Sequence, residues 1–382
     1  MNILVLGAGR MGLGAVYDLA HNSPDVSAIT VADHDLGRAQ AVAATVGSEN
    51  VTAVQVDVAD FDAAVGLMSG HHATISAVNY WHNANLARAA VAAKVSFCDL
   101  GGNNTIVDQE LALDAEAQAA GINIIPDCGL APGMVSVLAA HGAARFTVVK
   151  SIKIRVGGLP QDPKPPLNYQ IVFAVEGLIN EYIERARVIR GGVVTEVDSM
   201  TELESLEFPA PYGQMEAFQT SGGTSTLVDT FLGRVDELDY KTIRYPGHCD
   251  KFKTMLDLGL AESTPVVIEG VSVAPRKVFG DCLVRHLPAD EPDLVFVRLE
   301  FRGTMDGRET GLRYDIIDKF DERTKLSAMM RTTSFPASII AQMMARGDTL
   351  RRGATPQEVA IPPEQFVAEL DRRNIKIEES RT

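Results

Sequence analysis

The sequence predicts two folded parts: an α/β domain on a doubly wound parallel sheet, then an α+β domain with an antiparallel sheet. Three observations carry this. Short apolar runs alternate with Ala-rich helical stretches through the first third of the chain. A Gly-x-Gly-x-x-Gly sequence joins the first run to the first helical stretch. After about residue 147 the alternation stops, and strand-like runs with turn signals take over.

Residues 2–6 are an apolar run that stops at glycine, and a helical pattern follows over 11–20. A second run, 28–32, ends at Asp33 and leads into helix-compatible residues 36–44. Residues 51–56, 73–78, 96–98 and 123–125 read as further strands, with helical stretches such as 83–93 and 106–120 between them. Parallel neighbours need crossover helices, so six strands separated by helices imply a parallel sheet. Past residue 147, a strand is expected over 148–157, a stiff Pro-rich connector over 162–166 and a helix over 167–183. Gly191-Gly192 between residues 186–190 and 193–197 is a hairpin signal. Residues 265–274, 282–287, 294–302 and 311–320 complete the predicted strands. The expected divisions are 1–130, 131–335 and a polar tail 348–382, with a helix near 336–347 returning to the first domain.

Composition narrows the function. Of 382 residues 46% are hydrophobic and 22% charged, enough to bury a sizeable core. The net charge of −15 argues against nucleic acid or an anionic membrane as partner. No apolar run approaches the ~20 residues of a membrane span, and no basic leader opens the chain, so a cytoplasmic protein is expected. Four scattered cysteines, no HExxH and no GxSxG leave no predicted metal site, disulfide framework or hydrolase nucleophile.

Gly7-Ala8-Gly9-Arg10-Met11-Gly12 lies at the first strand-to-helix turn. Gly7 permits the tight turn, Gly9 lets backbone approach a pyrophosphate, and Gly12 lets helix pack on sheet. Asp33 follows about 20 residues later, where a carboxylate accepts hydrogen bonds from ribose hydroxyls. This is the Rossmann fingerprint. A carboxylate there repels a 2′-phosphate, so NAD is favoured over NADP, although Arg10 and Arg38 lie nearby in sequence. Ala77, Val78 and Asn79 follow the fourth strand at the end where such sheets bind ligands, and Gly129 lies in the turn 127–134 after the sixth.

In the second domain, a helix over 167–183 places Ile171, Val175, Leu178 and Tyr182 on one side and Phe173, Glu176 and Asn180 on a separate stripe. Phe173 would pack on substrate methylenes and Glu176 would bind an amine. Strand alternation puts Tyr240, Thr242 and Arg244 on one face, a good carboxylate receptor. Residues 216–226 form a polar segment suited to closing over a ligand, or a plain surface loop.

The motif Gly7–Gly12 with Asp33, the turn 127–134, the block 159–182 and Arg244-Tyr245-Pro246-Gly247-His248 together resemble the saccharopine dehydrogenase family, most nearly its lysine 6-dehydrogenases. The resemblance implies NAD-dependent oxidative deamination of L-lysine at its ε-carbon, giving allysine, ammonia and NADH. It also implies that Val172, Phe173, Glu176, Tyr240, Thr242 and Arg244 line the substrate pocket, and that the chain forms a homodimer or larger homo-oligomer. The ε-amine must lose a proton before hydride leaves, with Glu176 the first candidate for that transfer and His248 the second. Alternatives are a saccharopine or carboxynorspermidine dehydrogenase-type reaction and a non-catalytic NAD-binding regulator.

Overall fold

The computed structural model describes residues 1–172 and 174–381. The chain divides into two compact units. Met1–Arg145, Ser225–Thr230 and Met330–Ile377 make the first; Phe146–Thr224, Phe231–Met329 and the residues from Glu378 make the second.

The first unit is built on strands β1 (Asn2–Leu6), β2 (Ala28–Asp33), β3 (Val51–Gln55), β4 (Ala73–Ser76), β5 (Ser96–Asp99) and β6 (Asn123–Ile125), with a short strand Gly353–Ala354 beside β6. The spatial order is 353–354, β6, β5, β4, β1, β2, β3, and every pair is parallel. The chain enters in the middle, winds outward to β3 and returns on the other side of β1. Its switch point therefore falls between β1 and β4, where open α/β sheets bind ligands. The strands read as nearly continuous apolar runs because both faces are covered: Ile3, Leu4 and Val5 are fully buried. The predicted helix over 106–120 is two, Asn104–Leu111 and Asp114–Ala120.

This unit runs past residue 130 because the helix Met134–Ala143 is apolar on nearly every side, with Val135, Val137, Leu138 and Ala139 fully buried. The segment after 348 is likewise no loose tail. The Gly353–Ala354 strand joins the sheet, and Arg373 donates through Nε to both carboxylate oxygens of buried Asp18 at 2.8 and 2.9 Å.

The second unit contains β7 (Val148–Pro160), β8 (Ala186–Arg190), β9 (Val193–Val197), β10 (Glu204–Phe208), β11 (Gly213–Gln219) and β12 (Glu237–Arg244), then long strands Asp293–Met305 and Arg308–Lys319. The main path is β10, β11, β12, β7, 293–305, 308–319 and a final strand Glu378–Arg381. The sheet is mixed, not wholly antiparallel, because β12 runs parallel to β7. Gly191 and Gly192 form the two-residue hairpin turn, with φ of 56° and 78°.

Two predicted elements differ. Of the strand expected over 282–287, residues 282–286 belong to the helix Pro275–His286 and Leu287 caps it, because proline at the first turn and Arg285 and His286 in the last outweigh the local strand-like pattern. The helix expected over 167–183 spans only Val175–Ile183. Asn168 has φ of 51° and the Ile171 amide donates to Pro288 oxygen, so residues 167–172 are held away from a helical path. Leu178, Ile179 and Tyr182 form the buried face of the shortened helix, and Phe173 lies outside the described residues. No helix among the described residues is long and apolar enough to cross a membrane.

Candidate functional site

In the first unit, β1 ends at Gly7, whose φ of 97° turns the chain toward the helix Arg10–His21. A Cβ on Gly7 would stand 2.6 Å from Ala77 oxygen, and one on Gly12 only 1.9 Å from Gly7 oxygen. Glycine is required at both by sterics. A Cβ on Gly9 would meet nothing within 4 Å, and Gly9 leaves the helix N-terminus without a side-chain cap. Open space beside uncapped N–H groups and a positive dipole end fits a pyrophosphate. Arg10 and Met11 open that helix.

Asp33 closes β2 and is largely buried. Its carboxylate accepts the Ala8 amide at 2.8 Å and the Asp35 amide at 3.0 Å, with His34 Nδ1 at 2.9 Å. The acid thus ties the glycine loop to the second strand, and Oδ2, whose partner is the Ala8 amide, retains a lone pair for a ribose hydroxyl. Ala77, Val78 and Asn79 follow β4, with the Ala77 amide on Leu6 oxygen, and Asn79 is exposed. Gly129 sits where a Cβ would come 3.3 Å from Leu100 oxygen. The cofactor candidates thus gather along the carboxyl ends of β1, β2, β4 and β6. Residues present fit a pyridine dinucleotide.

Beneath the turns after β5 and β6 lie buried carboxyl groups that the sequence reading did not single out. Asp99 Oδ1 accepts the Gly101 amide at 2.6 Å and the Asp127 amide at 3.2 Å. Burial raises both Asp99 and Glu110, which face each other, so one of the pair keeps a proton. Asp127 takes a hydrogen bond from the Ser225 hydroxyl, and burial with the nearby Asp99 pushes it up to about 8.

In the second unit, β12 carries Tyr240, Thr242 and Arg244. Asp239 and Lys241 have other partners: Asp239 accepts Arg155 at 2.7 Å, and Lys241 donates to Glu202 oxygen at 2.6 Å. Arg244 is 2% exposed. Its Nε donates to Tyr182 Oη at 2.8 Å and its Nη1 to Ile243 oxygen at 2.8 Å. The guanidinium carbon lies 4.7 Å from the Tyr169 ring centroid. Buried Arg155 and Arg298 are each neutralised by carboxylates. Among the described residues Arg244 has no carboxylate within ion-pair distance, and its Nη2 makes no hydrogen bond. A buried, permanently protonated guanidinium with a spare donor edge is costly unless an anion joins it.

Around it, Thr242 and Thr220 share a 2.7 Å hydroxyl contact. A Cβ on Gly223 would fall 2.4 Å from the Tyr240 ring, so glycine lets the chain lie flat against that tyrosine. The polar segment after residue 216 is therefore partly built into this cluster, whereas Glu216 itself accepts the Gly247 and Cys249 amides and caps the helix His248–Asp257. Glu181, next to Tyr182, completes the group. Burial, opposed by Arg244 and reinforced by Glu184, pushes its carboxyl up to about 7.

The two acid–base candidates lie otherwise than the sequence suggested. Glu176 is exposed and accepts Arg276 Nε at 2.8 Å. His248 is buried, its Nδ1 at 3.1 Å from Leu167 oxygen and its Nε2 at 3.1 Å from Tyr182 Oη. The carbonyl needs a donor, so Nδ1 carries the proton and Nε2 accepts from Tyr182, which in turn accepts from Arg244. Burial and Arg244 push the imidazole down to about 3. His248 offers no free proton-accepting atom in this arrangement and instead orients Tyr182, whereas Glu176 holds Arg276 through Oε2 alone and keeps Oε1 open. Val172 is buried 3.3 Å from where a Gly158 Cβ would stand. Sequence reasoning missed Tyr169, Tyr182, Glu181 and Thr220 as a group because they come from separate loops and elements. The one available signal was the Glu-Tyr pair at 181–182. Among the described residues no His, Cys, Asp and Glu cluster could hold a metal.

Residues 3–125 match the family model described as the saccharopine dehydrogenase NADP binding domain, and residues 129–375 the saccharopine dehydrogenase C-terminal domain. The chain is 26% identical over 272 residues to a saccharopine dehydrogenase [NADP(+), L-glutamate-forming] of Saccharomyces cerevisiae, covering 68% of this chain and 58% of that protein. It is 27% identical over 163 residues to a carboxynorspermidine synthase of Vibrio cholerae, covering 37% and 39%. It thus spans about three fifths of the length of the saccharopine dehydrogenase it matches. The fold is similar to that of the solved saccharopine dehydrogenase (L-Glu forming) from Saccharomyces cerevisiae, with a TM-score of 0.81, 20% identity and coverage of 100% and 99%. It is also similar to a homospermidine synthase from Legionella pneumophila, solved in complex with NAD, with a TM-score of 0.70, 11% identity and coverage of 100% and 91%. With both family models matched over almost the whole chain, this protein belongs to the saccharopine dehydrogenase family.

Proposed function

We propose that the chain is a cytoplasmic, NAD-dependent amino-acid dehydrogenase that oxidises L-lysine at its ε-carbon, releasing allysine, ammonia and NADH. The observation that carries this reading is Arg244: a buried guanidinium with no carboxylate partner and a free donor edge among the described residues. It holds the substrate α-carboxylate, with Tyr240 and Thr242 beside it and Val172 against the methylenes. When bound, the nicotinamide supplies the hydride acceptor. NAD is preferred over NADP because Asp33 stands where a 2′-phosphate would meet a carboxylate.

The chain's own residues bind and orient. Gly9 and the helix N-terminus take the pyrophosphate, and Asp33 takes the ribose. His248 and Tyr182 fix the angle of Arg244. The ε-ammonium gives up a proton to solvent or a relay before its carbon gives up a hydride, and water then adds to the resulting imine. Deprotonation of an amine with a pKa near 10.4 makes turnover climb with pH through the alkaline range. Glu176, whose Oε2 is held by Arg276, stays a candidate for that relay through its Oε1.

The names of the relatives favour a second reading, a saccharopine or carboxynorspermidine-type reaction with NADP. One assay separates them. Purified protein is given NAD or NADP with L-lysine, L-ornithine, cadaverine or saccharopine, and NADH or NADPH absorbance is followed with o-aminobenzaldehyde present. The expected result is lysine- and NAD-dependent absorbance with a coloured piperideine adduct. Turnover of saccharopine alone would replace the lysine reading.

For assembly, we propose a homodimer or larger through the second unit. The hairpin Val266–Ile268/Val271–Val273 exposes Val267, Ile268 and Val271, an apolar surface that a second copy would cover. Light scattering showing a monomer at micromolar concentration would contradict it.

A further inference from the structure

We infer that an apolar cavity within the second unit, between the hairpin Val266–Ile268/Val271–Val273 and the helix Pro275–His286, binds a free amphipathic monocarboxylate, its acyl chain inside and its carboxylate on Lys251 at the mouth. The site is independent of the proposed lysine reaction.

The sequence builds the walls locally. Glu269 and Gly270, with φ of 51° and 82°, make the two-residue turn that folds this stretch into a hairpin. Val266 opposes Val273 and Ile268 opposes Val271, so these four share one face, and Val267 takes the other. The Val267 side stays available to the second copy proposed above. Along the helix, Phe279 and Leu283 are buried, with the Phe279 ring edge-on to Phe252 at 5.6 Å between centroids. Val278, Cys282 and His286, spaced by four, form a stripe beside them. The hairpin face and this helix side bound a cavity of about 640 Å³, inside the range of about 300–1,000 Å³ typical of small-molecule sites. Val266, Ile268, Val278 and Leu260 all line it and remain exposed. Apolar side chains that face a cavity and stay wet are stabilised when an apolar chain covers them.

The charge at the mouth decides which end of such a ligand points outward. Lys251 lines the cavity, and its Nζ donates to Pro166 oxygen at 2.8 Å. That contact fixes the ammonium at the rim and leaves it two further N–H donors. Among the described residues Lys251 makes no ion pair, and no carboxylate lines the cavity. In a chain of net charge −15, a mouth with one cation and no acid is a local exception that suits an anion and repels an amine. The cavity is also distinct from the Arg244 cluster. Leu167 divides them: it lines the cavity, while its carbonyl accepts from His248 Nδ1 at 3.1 Å.

Calorimetric titration of the full chain with decanoate, hexanoate, decanol and decylamine tests the site without requiring turnover. Decanoate should bind at least about tenfold more tightly than hexanoate, because each buried methylene contributes several-fold. It should bind about fivefold more tightly than decanol, the scale of one ion pair at a solvent-facing mouth, and decylamine should bind more weakly still. Lys251→Gln should bring decanoate down to the decanol level, and Lys251→Arg should restore the preference. Val278→Trp, at an exposed position whose indole fills the cavity, should abolish decanoate binding. Cys282 reports the location, because Cys98, Cys128 and Cys249 are buried and Cys282 is exposed. N-ethylmaleimide, followed by mass spectrometry, should therefore add at Cys282, and saturating decanoate should slow that addition several-fold. Absence of decanoate binding, equal binding of decanoate, decanol and decylamine, a Lys251→Gln chain that keeps the preference, or full Cys282 reactivity with decanoate bound would overturn the inference. So would a ligand-free chain whose Cys282 reacts only on dilution, since a second copy would then occupy the cavity.

Discussion

The glycine loop of the first unit and the Arg244 cluster of the second recognise ligands by opposite means. The loop works by what is missing: Gly7 and Gly12 have no Cβ because backbone oxygens occupy that space, and Gly9 faces open room. The cluster works by what is buried: one guanidinium, three tyrosine rings and two threonine hydroxyls gathered from distant parts of the chain. Backbone recognition tolerates changes in surrounding side chains but no added carbon. Side-chain recognition tolerates shape changes but no loss of charge.

Substitutions should separate the two accordingly. The largest effect is expected at Arg244→Ala, which should lower kcat/KM for lysine on the order of 100-fold or more, since truncating one member of a buried charge contact costs about 2–5 kcal/mol. NAD affinity, followed by nucleotide fluorescence quenching, should stay unchanged. A parallel loss of nucleotide binding would erase the division of labour. Gly12→Ala is the reverse experiment. Its Cβ would meet Gly7 oxygen at 1.9 Å, so NAD binding should weaken about tenfold or more while calorimetric lysine binding holds. Asp33→Asn tests the same loop more gently. It removes the charge that opposes a 2′-phosphate, so the NAD to NADP preference should narrow, read as the ratio of the two dissociation constants.

The smallest effect concerns stability. Asp127 rises from an ordinary 3.8 to about 8, so the folded state holds its proton more tightly than the unfolded chain. The associated stability is fully present below about pH 4 and drains away as pH climbs to 8. Asp127→Asn mimics the protonated acid at every pH. Its Tm relative to wild type should therefore climb by a few °C between pH 5 and 9. A constant offset would mean that Asp127 is ionised throughout.

How far each region is legible in the sequence follows from the same contrast. A turn that must approach phosphate imposes its requirement on six consecutive residues, Gly7 to Gly12, and the apolar runs around them announce the parallel sheet. Alternation along β12 likewise separates Tyr240, Thr242 and Arg244 from Lys241, because a strand has a fixed period of two. The rest of the cluster leaves no such trace. Tyr169 arrives through a segment that looks helical but is bent by Asn168 and tied to Pro288. Glu176 satisfies the helical stripe rule and yet pairs with Arg276, a residue 100 positions away. His248 looks like a base in a short motif, but its partners Leu167 and Tyr182 are visible only in three dimensions. The buried acids at 99, 110 and 127 are similarly silent, since nothing in sequence says that Glu110 faces Asp99.

The measurement that reaches the central claim most directly is a crystal structure of the chain with NAD and L-lysine bound. The lysine carboxylate should lie within hydrogen-bond distance of Arg244 Nη2. A lysine carboxylate seated elsewhere, with Arg244 still unaccompanied, would contradict the account.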